Sequence, residues 1–317
     1  MPGAPTNSHH GFDRHFRICE EATDGWGDLP SPRTWYDIPI FGDGVKIRGT
    51  QPKFRPNINR GGHKRKVSIR RREMVEGELR ALVYPRYANL LLRAGLTRQG
   101  DNNDLYSYYA QYYAPHQSLD WKGLVAERLT LEADGTTDDS TFTMAIQWIG
   151  KAEAENETLA STDFYYTGLD AVPYIFEHAA IELPDDTAVT DVLSFSLTVN
   201  NNVKRGPYSG TPGRLAYLLA GRRDIELTVR ELANRQNFMD AKQDGTDLSF
   251  EATFTNPNGQ VLTVTLPALD CDEDPESAEP ESEATVEPRL FAKTDGSDDD
   301  ITWSESAETG TETETTP

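Results

Sequence analysis

The chain has 317 residues, is 37% hydrophobic, holds two cysteines and carries a formal net charge of −21. That length accommodates two domains, each able to bury its own core. Cys19 and Cys271 are too few for a disulfide scaffold or a cysteine zinc site, and no apolar run reaches the roughly eighteen residues a membrane helix needs.

The acidity is unevenly placed. Residues 270–317 hold 17 acidic and two basic residues and carry −15, which leaves only −6 on the other 269. An acidic surface with 22 Arg against 9 Lys also suits a high-salt environment.

Residues 1–44 read as an N-terminal arm. Its start, MPGAPTNSHHGFDRH, lacks the apolar run of a secretory signal, so a soluble protein made in the cytoplasm is expected. A first unit follows at 45–150. It opens with a strand, VKIRGTQPKF (45–54), and a long loop with the basic stretch NINRGGHKRKVSIRRRE (57–73). A second strand, MVEGELRALV (74–83), leads to a helix, PRYANLLLRAG (85–95), with Pro85 in its first turn and Gly95 as its stop. A tyrosine-rich insertion (97–121) has no basic residue between Asp101 and Trp121 and reads as cover or subunit contact rather than a base-stacking platform. The unit closes with a hairpin (124–150) turning at Asp134-Gly135.

Residues 151–191 form a connector, and a second unit at 192–269 repeats the order. In VLSFSLTVN (192–200), Leu193, Phe195, Leu197 and Val199 share one face and Ser194, Ser196 and Thr198 the other. A loop (201–223), a strand RDIELTVREL (223–232), a helix (231–245) and a hairpin turning at Asn258-Gly259 complete it. The halves share N-x-x-R-G (Asn57, Arg60, Gly61; Asn202, Arg205, Gly206) and Ala-Asn (88–89; 233–234), both at a spacing of 145. The predicted fold is mainly β: two tandem antiparallel β-barrel or sandwich units, each with a short covering α-helix. The tail, 270–317, is too polar to bury much surface and is expected to be disordered, with Arg289-Leu290-Phe291 a candidate docking point.

No phosphate-binding loop, dinucleotide fingerprint, nucleophile elbow or H-E-x-x-H motif is present. No enzyme activity, cofactor or metal is therefore expected, and His9, His10 and His15 read as incidental. Three readings of the basic stretch compete: assembly, DNA binding, and an ordinary charged loop on a non-polymerising β adaptor or adhesin. Its recurrence as a Gly-rich charged loop in the second unit favours assembly.

The order of FSLTVNNNVKRG (195–206), GRRDIELTVRE (221–231), the helix with Asn234 and Phe238, LSFEATFTNPNGQ (248–260) and the entry CEEATDGWGDLPSP (19–32) resembles the tail tube proteins of tailed viruses, the long two-unit version. The resemblance covers about residues 18–269. It implies a structural subunit that self-associates into stacked rings around a lumen. Three chains per ring with pseudo-sixfold symmetry are favoured, and six chains are the alternative. It further implies tail tip, terminator and tape-measure partners, genomic double-stranded DNA passing without specific binding through a neutral to acidic lumen, no membrane, and a place in the virion tail after assembly in the host cytoplasm. By the same resemblance, Asn57, Arg60, Gly61, Lys64, Arg65, Lys66, Arg70, Arg71 and Arg72 of the first loop contact neighbouring subunits and rings. So do Asn202, Lys204, Arg205, Gly206, Arg222 and Arg223 of the second.

Overall fold

The computed structural model describes residues 14–22, 26–40, 44–50, 53–54, 69–70, 74–85, 87–99, 104–136, 140–164, 172–183, 188–189, 192–206, 218–232, 247–271, 285–286, 288–293 and 300–306. The arm supplies β1 (His15–Glu20) and β2 (Tyr36–Asp37). The first unit supplies β3 (Arg48–Thr50), β4 (Lys53–Phe54), β5 (Ile69–Arg70), β6 (Met74–Leu82), α1 (Tyr87–Leu96), β7 (Arg98–Gln99), β8 (Asp104–Leu105), β9 (Tyr108–Ala114), β10 (Gln117–Asp134) and β11 (Phe142–Gly150). The connector holds β12 (Ala152–Glu155), β13 (Ala179–Glu182) and β14 (Ala188–Val189). The second unit adds β15 (Val192–Asn200), β16 (Lys204–Arg205), β17 (Leu218–Leu219), β18 (Asp224–Leu232), β19 (Leu248–Thr255) and β20 (Val261–Cys271). The tail contributes β21 (Thr285–Val286), β22 (Arg289–Ala292) and β23 (Thr302–Glu305).

The fold is mainly β. One antiparallel sheet runs β3–β6–β11–β10–β15–β18–β22–β20–β19–β13–β14. Among the described residues no pairing joins its two ends. Alternation explains the burial: in β15, Phe195, Leu197 and Val199 are buried while Ser194, Ser196 and Thr198 are not. Leu193 departs from the predicted run. A register shift between Val192 and Ser194 leaves it half-buried, and Val192 is buried instead.

The two units share one sheet and one apolar cluster. β10 pairs directly with β15 across the unit boundary, and the sheet doubles back so that Phe142 of β11 stacks on Phe254 of β19, centroids 4.1 Å apart. The connector is thus no gap in the packing. Separate cores would leave the inner faces of both hairpins in water, and doubling back buries each with the other.

A side sheet, β2–β1–β9–β10–β12, unites the arm with the tyrosine-rich insertion. Tyr108 and Tyr109 are buried there, in keeping with the covering role. Helix α1 covers part of the core face of the main sheet, but Gly95 does not stop it. The helix continues to Leu96, and a Cβ at Gly95 would lie 2.8 Å from Leu129 of β10. The glycine permits close approach. Of the second predicted helix, Glu231 and Leu232 still belong to β18, and residues 233–246 lie outside the described ones.

Part of the acidic tail departs from what its composition predicts. Its described residues add three strands to the sheet. Leu290, at the predicted docking point, is fully buried in β22, which sits between β18 and β20. In the first unit the corresponding strands β6 and β11 pair with nothing between them. β23 lies along β20, Ile301 is buried beside it, and the Trp303 indole N–H donates to Asn89 Oδ1 of α1 at 3.2 Å. A few well-spaced apolar residues, helped by Arg289–Glu226 and Lys293–Asp247 ion pairs, suffice because partner strands are waiting.

Leu290→Ala should therefore lower stability by about 2–5 kcal/mol in chemical denaturation, as for a core leucine. Removing residues 285–306 should cost the cooperative transition itself. A merely appended tail would leave both curves unchanged.

Candidate functional site

Both charged loops leave the main sheet at the same end. Thr50 pairs with Met74 and Asn200 with Asp224, and each pair closes a connection of 23 residues, 51–73 and 201–223. The strand–loop–strand pieces thus repeat at a spacing of 150, five more than the shared N-x-x-R-G motif. The motif sits at different depths in the two loops.

Three consecutive asparagines build the neck of the second loop. Asn200 Oδ1 accepts from the Asn202 N–H at 3.0 Å. Asn201 is fully buried, and its Nδ2 donates to the carbonyls of Gly95 (2.8 Å) and Ala126 (3.1 Å), tying the loop base to α1 and β10. Asn202 adopts a φ of 47°, which Asn tolerates better than most residues, and donates to Arg222 O and Asp224 Oδ2. The chain returns against it at Gly221, where an added Cβ would lie 2.3 Å from Asn202 O. Beyond this neck, β16 and β17 pair as a short ribbon, which carries Lys204 outward and leaves Leu219 47% exposed.

The cations at this end differ in role. Arg205 is exposed, forms an ion pair with Glu76 of β6 and points Nη1 at Met74 Sδ, so the second loop's neck touches the first's. Arg223 is packed: its side chain is 15% exposed, and its guanidinium donates to Leu96 O at 2.7 Å and Asp300 Oδ1 at 2.8 Å. Its partners come from its own chain. Arg222 is exposed, and Gly206 is buried. In the first loop, Asn57, Arg60, Gly61, Lys64, Arg65, Lys66, Arg71 and Arg72 lie outside the described residues. Arg70 belongs to β5, whose backbone pairs with β4. Of the second loop's candidates, Asn202 and Arg222 meet at the neck, whereas Arg205 turns to Glu76 and Arg223 to Leu96 and Asp300. Sequence reasoning missed Asn201, Glu76, Leu219 and Asp300; the Asn-Asn-Asn run was the available signal for the first.

Among the described residues no group of three His, Cys, Asp or Glu could hold a metal. Glu21 is a buried carboxyl pushed up by burial, but its oxygens accept from the Gly27 and Gly123 N–H groups at 2.7 Å each, which makes it a clamp between the Gly27 turn and the register shift in β10. Among the described residues no helix is long and apolar enough to cross a membrane.

Arg223→Ala should destabilise the fold by about 1–3 kcal/mol in urea unfolding, since it strands a buried carbonyl and a carboxylate. Arg222→Ala should change stability by less than about 0.5 kcal/mol.

No curated protein matches the sequence. The family model described as phage tail tube protein matches residues 11–308, nearly the whole chain and both loops included. A mainly β chain with two equal loops at one end of its sheet, matched along that length, belongs to the phage tail tube protein family.

Proposed function

We propose that this chain is the repeating structural subunit of a viral tail tube, forming stacked rings around a lumen through which the genome is delivered. The observation that carries this reading is the twofold occurrence of one device: two strand pairs, each closing a 23-residue charged loop at the same end of one sheet. A closed ring needs the same contact made repeatedly, and a chain that contains the device twice makes it twice per copy. Three chains per ring with pseudo-sixfold symmetry follow, six chains being the alternative. The loops Asn57–Arg72 and Asn202–Arg222 face the next ring, with exposed Lys204, Arg222 and Leu219 at the contact.

The polar face of β6, β11, β10, β15 and β18 suits a lumen. It presents Thr130, Glu132, Ser196, Thr198, Glu226 and Thr228, short hydroxyls and carboxylates that DNA phosphates do not grip. Two cations at this face are paired in place: Arg80 of β6 meets Glu132 at 3.0 Å, and Arg289 of the adjoining β22 forms a fork with Glu226. DNA would slide past such a wall. The remaining partners are tip, terminator and tape-measure proteins at the ends and interior of the tube, and the place of action is the virion tail, assembled in the host cytoplasm. The acidic composition fits a virus of a halophilic host.

Negative-stain imaging of the purified chain should show rings or tubes. Reversing Arg70, Arg71 and Arg72 to Glu should reduce polymer at least tenfold while leaving the far-UV spectrum intact. A wild-type protein that stays monomeric and binds DNA with steep salt dependence would overturn the reading.

A further inference from the structure

The main sheet has two ends, and in the isolated chain both are covered. At one end, residues 44–50 run along β6: Lys46 N–H donates to Glu78 O at 2.8 Å, and Arg48–Thr50 pair with Glu76–Met74. On the far side of that strand, the Gly49 N–H donates to the Glu153 carboxylate at 2.6 Å, so a side chain stands where a strand's carbonyl would be. At the other end, β19 spans eight residues, but its outer edge meets β13 at only four, Glu251–Phe254. β13 in turn meets β14 at two. Within the β13 ladder Glu182 lies directly opposite Glu251, a like-charge pairing that weakens a sheet.

The chain also contains a complete version of this junction. β10 and β19 each open a hairpin. The outer edge of β10 takes β15 over seven pairs, from Arg128–Asn200 to Asp134–Ser194. β15 opens the second strand–loop–strand piece, and residues 44–50 open the first. The counterpart of β15 for the outer edge of β19 is therefore the strand 44–50, and within one chain it lies at the opposite end of the sheet.

The two candidate occupants share a pattern. In β13, Ile181 is buried between the outward Ala180 and Glu182. In 44–50, Ile47 is buried between the outward Lys46 and Arg48. Setting Lys46-Ile47-Arg48 of a second copy where Ala180-Ile181-Glu182 stands keeps an isoleucine over the core and places a cation against Glu251.

We infer that the outer edge of β19 is the docking edge for a second copy of this chain, received through its residues 44–50, and that β13–β14 holds this edge in the free subunit and leaves it on association. The inference rests on the tube-subunit reading. Over the four positions that β13 covers, the exchange trades backbone hydrogen bonds one for one, so its gain comes from the further pairs of a longer ladder and from replacing a like-charge pair with an opposite one. Its barrier comes from first releasing β13 from β19 and Gly49 from Glu153, which keeps free copies apart until a nucleus forms.

The facing pair Ala180–Thr253 allows a direct test, since both residues lie on the outward side of the ladder. Ala180→Cys with Thr253→Cys should form a disulfide detectable as a mobility shift on a non-reducing gel. The oxidised protein should melt no lower than wild type and yield at least tenfold less polymer by sedimentation and negative stain. Reduction should restore tubes, and each single variant should assemble normally. Separately, Glu182→Lys, which places opposite charges in the ladder, should lengthen the lag before polymerisation. Oxidised protein that polymerises as well as reduced protein overturns the docking edge and leaves the tube reading standing, and so does failure of the disulfide to form. If wild type and reduced protein also fail to assemble, the tube reading falls first and takes this inference with it.

Discussion

The structure depends on one strand. β10 runs from Gln117 to Asp134 and belongs to both sheets: its first part pairs with β9 and β12, its second with β11 and β15. Two register shifts, at Trp121/Leu124 and Ala126/Arg128, let it turn from one sheet into the other. Trp121, Leu124, Leu129 and Leu131 point from it into the core, and α1 approaches closely enough at Leu129 to require Gly95. The arm, the insertion, the helix and the second unit all take their positions from this strand.

The elements with strong local patterns were legible in the sequence. Alternation marked β15, β18 and the second hairpin because one face of each is buried and the other wet. The Asn258-Gly259 turn was readable because Gly259 takes a φ of 81°, and the turn is further held by Asn256, whose side chain accepts from the Asn258 and Gln260 N–H groups. The long loops were legible as charged, Gly-rich insertions between strands, but the motif spacing of 145 did not reveal that the flanking strands repeat at 150.

What was illegible depended on partners distant in the chain. Asn201 looks like one more loop asparagine, yet its donors reach carbonyls 75 and 106 positions away. Arg223 reads as an exposed cation until Asp300 and Leu96 are placed beside it. The tail reads as solvent-loving because 17 of its 48 residues are carboxylates. Its order comes from single residues, Leu290, Ile301 and Trp303, that fill places already shaped by β18, β20 and α1. Composition averages such residues away.

The position of β22 bears on timing. β18 and β20 are separated by a strand encoded after both, so the second half stays unfinished at the ribosome until residues 289–292 have been made. Glu305, which accepts from the Asn89 N–H at the start of α1, arrives later still. Translation thus delivers the final stitch to a molecule whose loops are long since synthesised, and a nascent chain has no finished surface to offer its siblings before its own closing strands exist.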